Sequence, residues 1–289
     1  MLSLLIYGLI HSVILAFYAL GFSLVYGISG VANFAHGGLY ILSGYVAWCL
    51  MNYLGLPLLV SLPITVAITG IIGFLLYWGL LLRVRGIVLA EVVVTFAAGI
   101  AILEFLSWLG LYGFYYNIPV FVRGGIEIGN VAVDYQRLIV LGTGVVLAIL
   151  LWLFVHHTRI GLAFRGIAQN ERTALSLGIE TDWIGALSVA FGSALVALAS
   201  VMILPMGVLE ANVGYEVLIY AVAVCILGGL ESILGMAVAS FIIGYGQIFV
   251  ARYIGSDWMV IVPLAAIVLI LAVRPSGLLG KFKEIEERV

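Results

Sequence analysis

Charged residues are scarce in this 289-residue chain, at 9% of the composition, and none occurs before Arg83. Soluble domains carry about 25% charged residues. The uncharged and largely apolar stretch from Met1 to Leu82 could not keep the surface of a soluble protein hydrated. We therefore predict an integral membrane protein, with lipid as the solvent around much of its surface.

The sequence also lacks the patterns of several other protein classes. A net charge of -2 and a pI of about 6.1 provide no basic surface for nucleic acid. Cys49 and Cys225 lie in apolar runs and predict neither a disulfide framework nor a metal site. No Gly-Lys-Ser/Thr phosphate motif occurs, so if the protein's activity requires ATP and Mg²⁺, another subunit must bind them.

Long apolar segments fill most of the chain, and a bilayer core about 30 Å thick needs about 20 such residues per helix. Seven segments meet this requirement: 2–26, 57–82, 87–110, 137–156, 183–204, 233–252 and 257–273. Two others, 33–53 and 217–231, are less regular. We expect a single all-α domain over residues 1–289, a polytopic transmembrane helical bundle of eight or nine spans, some broken or re-entrant.

Positive charge is distributed unevenly between the two sets of loops. Of the 12 Lys and Arg residues, nine would lie on one side, with residues 83–85, 158–182 and the C-terminal tail. Arg123, Arg137 and Arg252 would lie on the other. Because cytoplasmic loops carry an excess of Lys and Arg, this pattern predicts an external N-terminus and a cytoplasmic C-terminus.

A glycine-rich segment, Gly27-Ile-Ser-Gly-Val-Ala-Asn-Phe-Ala-His-Gly-Gly38, interrupts the early helical pattern. Irregular backbone at membrane depth survives only inside protein or beside a wet cavity, and transporters place broken helices along the solute route. Polar groups in lipid are also costly. We predict a translocation role for Asn33, Phe34, His36, Gly37 and Gly38. The alternative is that the glycines form short turns or permit close helix packing.

A second glycine-rich segment runs from Ile226 to Gly235, and on the same argument we predict that Gly228 and Gly229 line the pathway. Close helix packing is again the alternative. We expect different environments for two acidic residues. Glu104 lies deep in its span and is expected to make an internal polar contact. Glu216, near a predicted span end, is expected to be solvated.

The loop over residues 158–182 contains a predicted helix outside the membrane, about two turns long. Asn170 suits its N-cap, Glu171 its first turn and Gly178 the position after its end. Three apolar residues of this helix would face water: Ala174, Leu175 and Leu177. A partner protein that covers them explains their presence better than a plain solvated connector does.

Four ordered motifs are spread between about residues 8 and 280. They are Gly21-Phe-Ser-Leu-Val-Tyr-Gly27 with Asn33-Phe-Ala-His-Gly37; Arg159-Ile-Gly with Arg165-Gly-Ile-Ala-Gln-Asn-Glu-Arg-Thr-Ala and Leu177-Gly-Ile179; Leu227-Gly-Gly-Leu-Glu-Ser-Ile-Leu-Gly235; and Arg274-Pro-Ser-Gly-Leu-Leu-Gly280. Together they resemble the permease subunits of bacterial branched-chain amino acid importers of the ATP-binding-cassette type. Gly166 stands where that family usually has alanine.

The resemblance implies a coupling helix that docks on a cytoplasmic ATPase subunit, where ATP and Mg²⁺ would bind. The residues it places at or near this contact are Arg159, Arg165, Gln169, Asn170, Glu171, Arg172, Ala174, Leu175 and Gly178. It also implies a second related permease, a periplasmic binding protein that delivers the solute, and a place in the bacterial inner membrane. Transport would follow alternating access, and no residue would act as a catalyst.

The sequence is also compatible with other functions. Permeases that resemble this one carry urea, short amides or other amino acids. An ion-coupled secondary transporter would have broken helices too, with Glu104 as a proton carrier. Residues 27–30 resemble a rhomboid-type protease motif, but His36 could reach Ser29 only if the chain folds back sharply. A structural subunit without a pathway would have little reason to keep Asn33 and His36 in a broken membrane segment.

Overall fold

The computed structural model describes residues 1–111 and 116–280. Within these ranges the chain forms a bundle of α-helices with one small β-ribbon, which confirms the predicted polytopic helical architecture. The elements are α1 (Leu2–Ser29), α2 (His36–Asn52), α3 (Leu58–Leu76), α4 (Leu82–Val84), α5 (Val88–Leu106), β1 (Gly125–Ile128), β2 (Val131–Asp134), α6 (Tyr135–His157), α7 (Arg159–Gln169), α8 (Glu171–Ser176), α9 (Thr181–Ile203), α10 (Ala211–Gly228), α11 (Ile233–Tyr253) and α12 (Ile261–Val273).

Eight helical stretches in the described ranges are long and apolar enough to cross a membrane. They are Leu2–Ser29, Leu58–Val84, Val88–Leu111, Tyr135–His157, Thr181–Met206, Ala211–Gly228, Ile233–Tyr253 and Ser256–Val273. The seven regular segments expected from the sequence correspond to seven of these. The eighth, α10, begins six residues earlier than the expected segment 217–231. That shift moves Glu216 from a span end into the helix. Glu104 is exposed on α5, so the expectation of an internal contact for it is wrong.

The ninth apolar segment, α2, begins inside the bundle. The imidazole Nε2 of His36 lies 2.7 Å from the carbonyl oxygen of Tyr18, near the middle of α1. Residues 30–35 return from the end of α1 to this level in a non-helical conformation. From there α2 runs on to the end of the bundle where Trp48 packs on Tyr116. Residues 30–52 therefore run from one end of the bundle to the other, first in a non-helical conformation and then as a helix.

Contacts between loops sort them to two ends of the bundle. At one end the ribbon lies against the start of α1, where the Tyr7 hydroxyl donates to the Ala132 carbonyl oxygen at 2.6 Å. At the other end, the end of α1 lies near Arg85 and Glu231. The arginines at this second end are Arg83, Arg85, Arg159, Arg165, Arg172 and Arg274, as the sequence predicts. Lys281, Lys283 and Arg288 lie outside the described residues.

The β-ribbon is a feature that the sequence analysis did not predict. Its strands pair antiparallel, with Ile128 opposite Val131, across a two-residue turn of Gly129 and Asn130. Gly129 adopts a positive φ of 64°, which glycine tolerates and which a tight hairpin of this length requires. The ribbon lies between α5 and α6 in the chain, at the end of the bundle where α1 begins.

Burial separates central helices from peripheral ones. In the apolar stretch of the α9 span 72% of the residues are buried, and in that of α10 56% are. Only 6% of the residues are buried in the apolar stretch of α6, and 11% in that of the span that contains α12. Because an apolar helix with so little protein around it must be covered by lipid or by another subunit, α6 and α12 form the outer surface of the bundle.

Candidate functional site

The break after α1 is shaped by Gly30 and Asn33. Gly30 closes the helix in a left-handed conformation, with φ of 64°, and its N–H donates to the Tyr26 carbonyl oxygen at 2.8 Å. The Asn33 side-chain Oδ1 then accepts the N–H of Ala35 at 3.1 Å, and its backbone oxygen accepts the N–H of His36 at 3.3 Å. Asn33 is only 4% exposed, so its side chain builds the turn that starts α2.

His36 is also enclosed, at 3% exposure, and its ring packs edge-on against Phe22. The Tyr18 carbonyl can only accept a hydrogen bond, so Nε2 of His36 carries the proton in this contact. Ser29 instead donates its hydroxyl to the Val25 carbonyl oxygen at 2.8 Å. Tyr18 and Ser29 are separated by roughly 16 Å along α1. The serine–histidine pair that a protease requires therefore does not form in this structure.

Helix α5 holds the broken segment from the other side. The N–H of Phe34 donates to the Thr95 hydroxyl oxygen at 3.2 Å, and the same oxygen lies 3.3 Å from the Ala32 carbonyl oxygen. The half-buried ring of Phe34 meets the rings of Phe22 and Phe96 edge-on. The segment is thus fixed by groups at membrane depth from α1 and α5, as irregular backbone in a membrane requires.

Gly37 and Gly38 permit close contact between helices, the alternative that the sequence analysis kept open. A Cβ on Gly37 would collide with the carbonyl oxygen of Gly214 in α10, and one on Gly38 would come 2.7 Å from that of Gly99 in α5. The structure therefore gathers Asn33, His36, Gly37 and Gly38 into one buried cluster, next to the half-buried Phe34. Their role in translocation stays a prediction.

Gly228 and Gly229 lie at the second break, where they contact the C-terminal segment Arg274–Gly280. The N–H of Leu278 donates to the Leu227 carbonyl oxygen at 2.8 Å, and that of Leu279 donates to the Gly228 carbonyl oxygen at 3.0 Å. Gly229 has a φ of 102°, and a Cβ on it would come 2.6 Å from the Gly280 nitrogen. Close packing accounts for both glycines, and their place in the pathway stays a prediction.

The predicted short helix is present as α8. The Asn170 Oδ1 accepts the N–H of Thr173 at 2.9 Å, and Gly178 adopts a φ of 83° after the helix end. The preceding residues form a second helix, α7, which the sequence analysis did not predict. Thr158 caps it by accepting the N–H of Gly161 at 3.0 Å. Gln169, predicted near the start of the coupling helix, is the last residue of α7.

The expectation that Ala174 faces water is wrong. Ala174 is 3% exposed and packs with Phe164 and Ile184, because α7 and α9 fold over the inner side of α8. Leu175 and Leu177 are 48% and 77% exposed, as predicted. Of the other predicted coupling residues, two are half-buried, Arg165 and Glu171, and five are exposed, Arg159, Gln169, Asn170, Arg172 and Gly178.

Arg85 is a site residue that the sequence analysis did not identify. Its guanidinium forms ion pairs with Glu171 in α8 and Asp182 in α9, and it donates to the Thr181 hydroxyl at 3.0 Å. Arg85 and Glu171 are 86 positions apart in the chain, so no local pattern could have revealed the pair. The arginine ties α8 and the start of α9 to the connection between α4 and α5.

Contacts continue from this arginine to the broken segment. The Gly86 N–H, next to Arg85, donates to the carboxylate of Glu91 at 2.9 Å, in the first turn of α5. One turn further along α5, Thr95 accepts the N–H of Phe34. A contiguous series of contacts thus joins α8 to the non-helical backbone after α1. Among residues 1–111 and 116–280, no three His, Cys, Asp or Glu side chains could hold a metal ion together.

The chain is similar to several known proteins over most of its length. The chain is 27% identical to the high-affinity branched-chain amino acid transport system permease protein BraD of Pseudomonas aeruginosa, over 92% of this chain and 91% of that protein. It is 26% identical to the corresponding protein LivH of Escherichia coli, with the same two shares covered. It is also 26% identical to the probable branched-chain amino acid transport permease protein LivH of Methanocaldococcus jannaschii, over 94% of this chain and 90% of that protein.

A solved structure is similar as well: PsaBC from Streptococcus pneumoniae in complex with Fab, with a TM-score of 0.48, 15% identity, and 94% of this chain and 92% of that chain covered. The family model described as "Branched-chain amino acid transport system / permease component" matches residues 4–271. This match spans nearly all of the chain, in whose described residues eight apolar helices are long enough to cross a membrane. The protein is a multi-pass membrane protein that belongs to the family of branched-chain amino acid transport system permease components, which are transport components and not enzymes.

Proposed function

We propose that this chain is the permease subunit of an ATP-driven importer of branched-chain or other hydrophobic amino acids. The observation that carries the proposal is the coupling region, defined as α8 with Leu177 directly after it: Leu175 and Leu177 are exposed to water, while Arg85 fastens α8 to the connection between α4 and α5. Exposed apolar residues on a short, firmly held helix suit a protein partner that pushes on it. An ion-coupled transporter would not need such a surface.

The remaining subunits follow from this proposal. A cytoplasmic ATPase contacts α8 and binds ATP and Mg²⁺, a second related permease completes the membrane domain, and a periplasmic binding protein delivers the solute. The protein lies in the bacterial inner membrane with its C-terminus in the cytoplasm. The orientation is supported by the six arginines at the α8 end of the bundle.

Branched-chain amino acids are the proposed cargo because they are named in the relatives BraD and LivH. Urea or short amides are the alternative cargo, since the binding protein is expected to carry much of the selectivity. In the proposed cycle, ATP binding moves α8, and Arg85 passes that movement to α5 and to the segment around Phe34. The bundle then alternates between outward and inward access.

Uptake into proteoliposomes tests the proposal. The chain is reconstituted with its co-purified partners, and radiolabelled leucine and urea are supplied outside with the binding protein. We expect leucine uptake that requires ATP inside the vesicles. The change Leu177→Asp should reduce it by about tenfold or more, since a carboxylate enters an apolar contact. Uptake driven by an ion gradient without the ATPase would contradict the proposal.

A matched control uses Leu162, which is 62% exposed at the same end of the bundle but lies on α7, before the coupling region. Leu162→Asp should leave ATP-dependent uptake nearly unchanged. An equal loss in both variants would mean that the charge disturbs this end of the protein in general. Uptake of urea in preference to leucine would favour the alternative cargo.

A further inference from the structure

The membrane span that begins with α3 contains one turn of π-helix near the α8 end of the bundle. Residues Tyr77–Leu81 form this π turn, in which the N–H of Leu82 donates to the Tyr77 carbonyl oxygen, five positions earlier. Leu76 and Leu82, on either side of the turn, keep α-helical backbone angles, so the span Leu58–Val84 continues through it. A π turn holds one residue more than an α-helical turn and often lies at a functional site. The π turn is therefore a candidate hinge in this span.

The span is held firmly on the α3 side of the π turn. Gly73 packs so closely on α9 that a Cβ on it would collide with the Ser193 hydroxyl group. Tyr77, the first residue of the turn, is 3% exposed, and its ring occupies the space that a Cβ on Gly185 would need. Ser193 and Gly185 both belong to α9, in whose apolar stretch most residues are buried. As far as Tyr77, the span can therefore move only together with α9.

The segment beyond the π turn is held differently. Helix α4 is three residues long and packs mainly on the π turn before it. Gly86 follows with a φ of 87°, and in the described part of the chain a Cβ on Gly79 or Gly86 would meet no neighbouring group within 4 Å. Between these two glycines, the ion pairs of Arg85 fasten the segment to Glu171 and Asp182. A long side chain thus holds residues 82–85 between two loosely packed glycines.

Open space adjoins the π turn on two sides. One cavity is lined by Leu81 and Arg85 together with residues around the end of α1. A second cavity is lined by Leu81 together with Asn33 and Thr95, at the broken segment after α1. Leu81 is only 3% exposed and borders both cavities. Its side chain can therefore shift toward either cavity when the π turn bends.

We propose that residues 82–85 form a lever, hinged at the π turn and at Gly86, which α8 holds and moves through Arg85. The lever lets α8 move the start of α5 while α3 stays in place on α9. The Gly86 N–H carries this movement to α5, since it donates to the carboxylate of Glu91. The inference rests on the proposed function in taking α8 as the part that moves. The hinges themselves can be tested without ATP.

Spin-label distances test whether the π turn bends. Labelled cysteines replace the exposed residues Ile71 and Arg83, which lie twelve positions apart on either side of the turn. A control pair at Val145 and His157 has the same spacing in the uninterrupted helix α6. A straight α-helix would place each pair of backbone positions about 18 Å apart. In the full-length protein in lipid nanodiscs, with its two native cysteines replaced, we expect the first distance distribution to be about twice as broad as the second.

Three variants test the parts of the lever. Arg85→Ala releases it from α8 and should broaden the Ile71–Arg83 distribution further. Deletion of Gly79 removes the extra residue of the π turn, so the distribution should narrow to the width of the α6 pair, and ATP-dependent uptake should fall by about tenfold or more. Gly79→Ala should narrow it partway, because alanine favours helix, and keeps the test available if the deletion does not fold. Gly142→Ala on α6 is the matched control and should leave the distribution unchanged.

The inference is overturned if the Ile71–Arg83 distribution is as narrow as that of the α6 pair, because a rigid π turn would only aim Arg85 at α8. It is also overturned if Arg85→Ala leaves the distribution unchanged, or if the deletion narrows it while uptake stays normal. A broad distribution together with uptake driven by an ion gradient would contradict the importer function and leave the hinges intact. A narrow distribution together with ATP-dependent uptake would leave the importer with another route from α8 to α5.

Discussion

The bundle contains two interruptions of helical backbone that differ in depth and in what holds them. The first, residues 30–35, lies within the bundle and is fixed by side chains, through Asn33, His36 and Thr95. The second, after Gly228, lies at the α8 end and is fixed by backbone hydrogen bonds to the C-terminal segment. We expect a break that is fixed by polar side chains from several helices to change its conformation when those helices move. A break that is closed by backbone contacts at one end of the bundle can keep its conformation during the same movement.

The largest expected effect tests how tightly the first break is packed. Gly37→Ala should reduce the free energy of unfolding by about 3 kcal/mol, because its Cβ would collide with the backbone of α10 at Gly214. Thermal or denaturant unfolding in detergent measures this loss. Gly142→Ala is the control, since a Cβ on that α6 glycine meets nothing within 4 Å. A tolerated Gly37→Ala would mean that α2 and α10 separate easily.

The second effect concerns the route from α8 to the first break. Arg85→Ala should lower transport by about tenfold while ATP hydrolysis by the partner continues, because α8 loses its ion pairs to the α4–α5 connection. The paired measurement is uptake against phosphate release in the same proteoliposomes. Arg83→Ala is the control: Arg83 is exposed at the same end and two positions away.

Gly229→Ala, at the second break, provides a further comparison for Arg85→Ala. Gly229→Ala should loosen the C-terminal segment, because Gly229 has a positive φ and contacts Gly280, yet it should leave the ratio of transport to hydrolysis unchanged. If Arg85→Ala lowers uptake and hydrolysis equally, the arginine stabilises the protein without coupling its parts. If Gly229→Ala uncouples transport as strongly, the distinction between the two breaks is lost.

Local signals in the sequence predicted much of this structure. Long apolar segments located the spans, and the Asn170 cap with Gly178 located α8, because these features depend on neighbouring residues. Helix α7 was missed because Gly161 and Gly166 lower helix propensity. The ribbon was missed although its Gly-Asn turn between alternating apolar residues is a known hairpin signal.

Other features depend on tertiary contacts and had no local signal. The burial of Ala174 depends on Ile184 in α9, and the ion pairs of Arg85 join residues far apart in the chain. The exposure of Glu216 depends on two facts together: α10 begins at Ala211, and no helix among residues 1–111 and 116–280 covers the Glu216 side chain. A six-residue error in a helix boundary was therefore enough to hide a carboxylate at membrane depth.

The smallest expected effect comes from removing one hydroxyl group at the first break, which also bonds to the Glu91 carbonyl oxygen within α5 at 2.8 Å. Thr95→Val keeps the shape of the side chain but removes the oxygen that accepts the Phe34 N–H. Leaving this donor unsatisfied should lower the free energy of unfolding by about 1 kcal/mol. Because the same contact joins α5 to the broken segment, transport should fall by a larger proportion than stability. Parallel measurements of unfolding and of leucine uptake check both expectations.

Thr143 provides the matched control for that variant. Its hydroxyl donates to Ile139 within its own helix, α6, at 2.6 Å, and holds no irregular backbone. Thr143→Val should therefore change both quantities by less than Thr95→Val. If the two variants lose the same amount of stability and of uptake, the Thr95 hydroxyl contributes no more than the Thr143 hydroxyl does. Thr95 then has no special part in holding the segment around Phe34. If only Thr95→Val impairs uptake, the bond between α5 and the first break is used during transport.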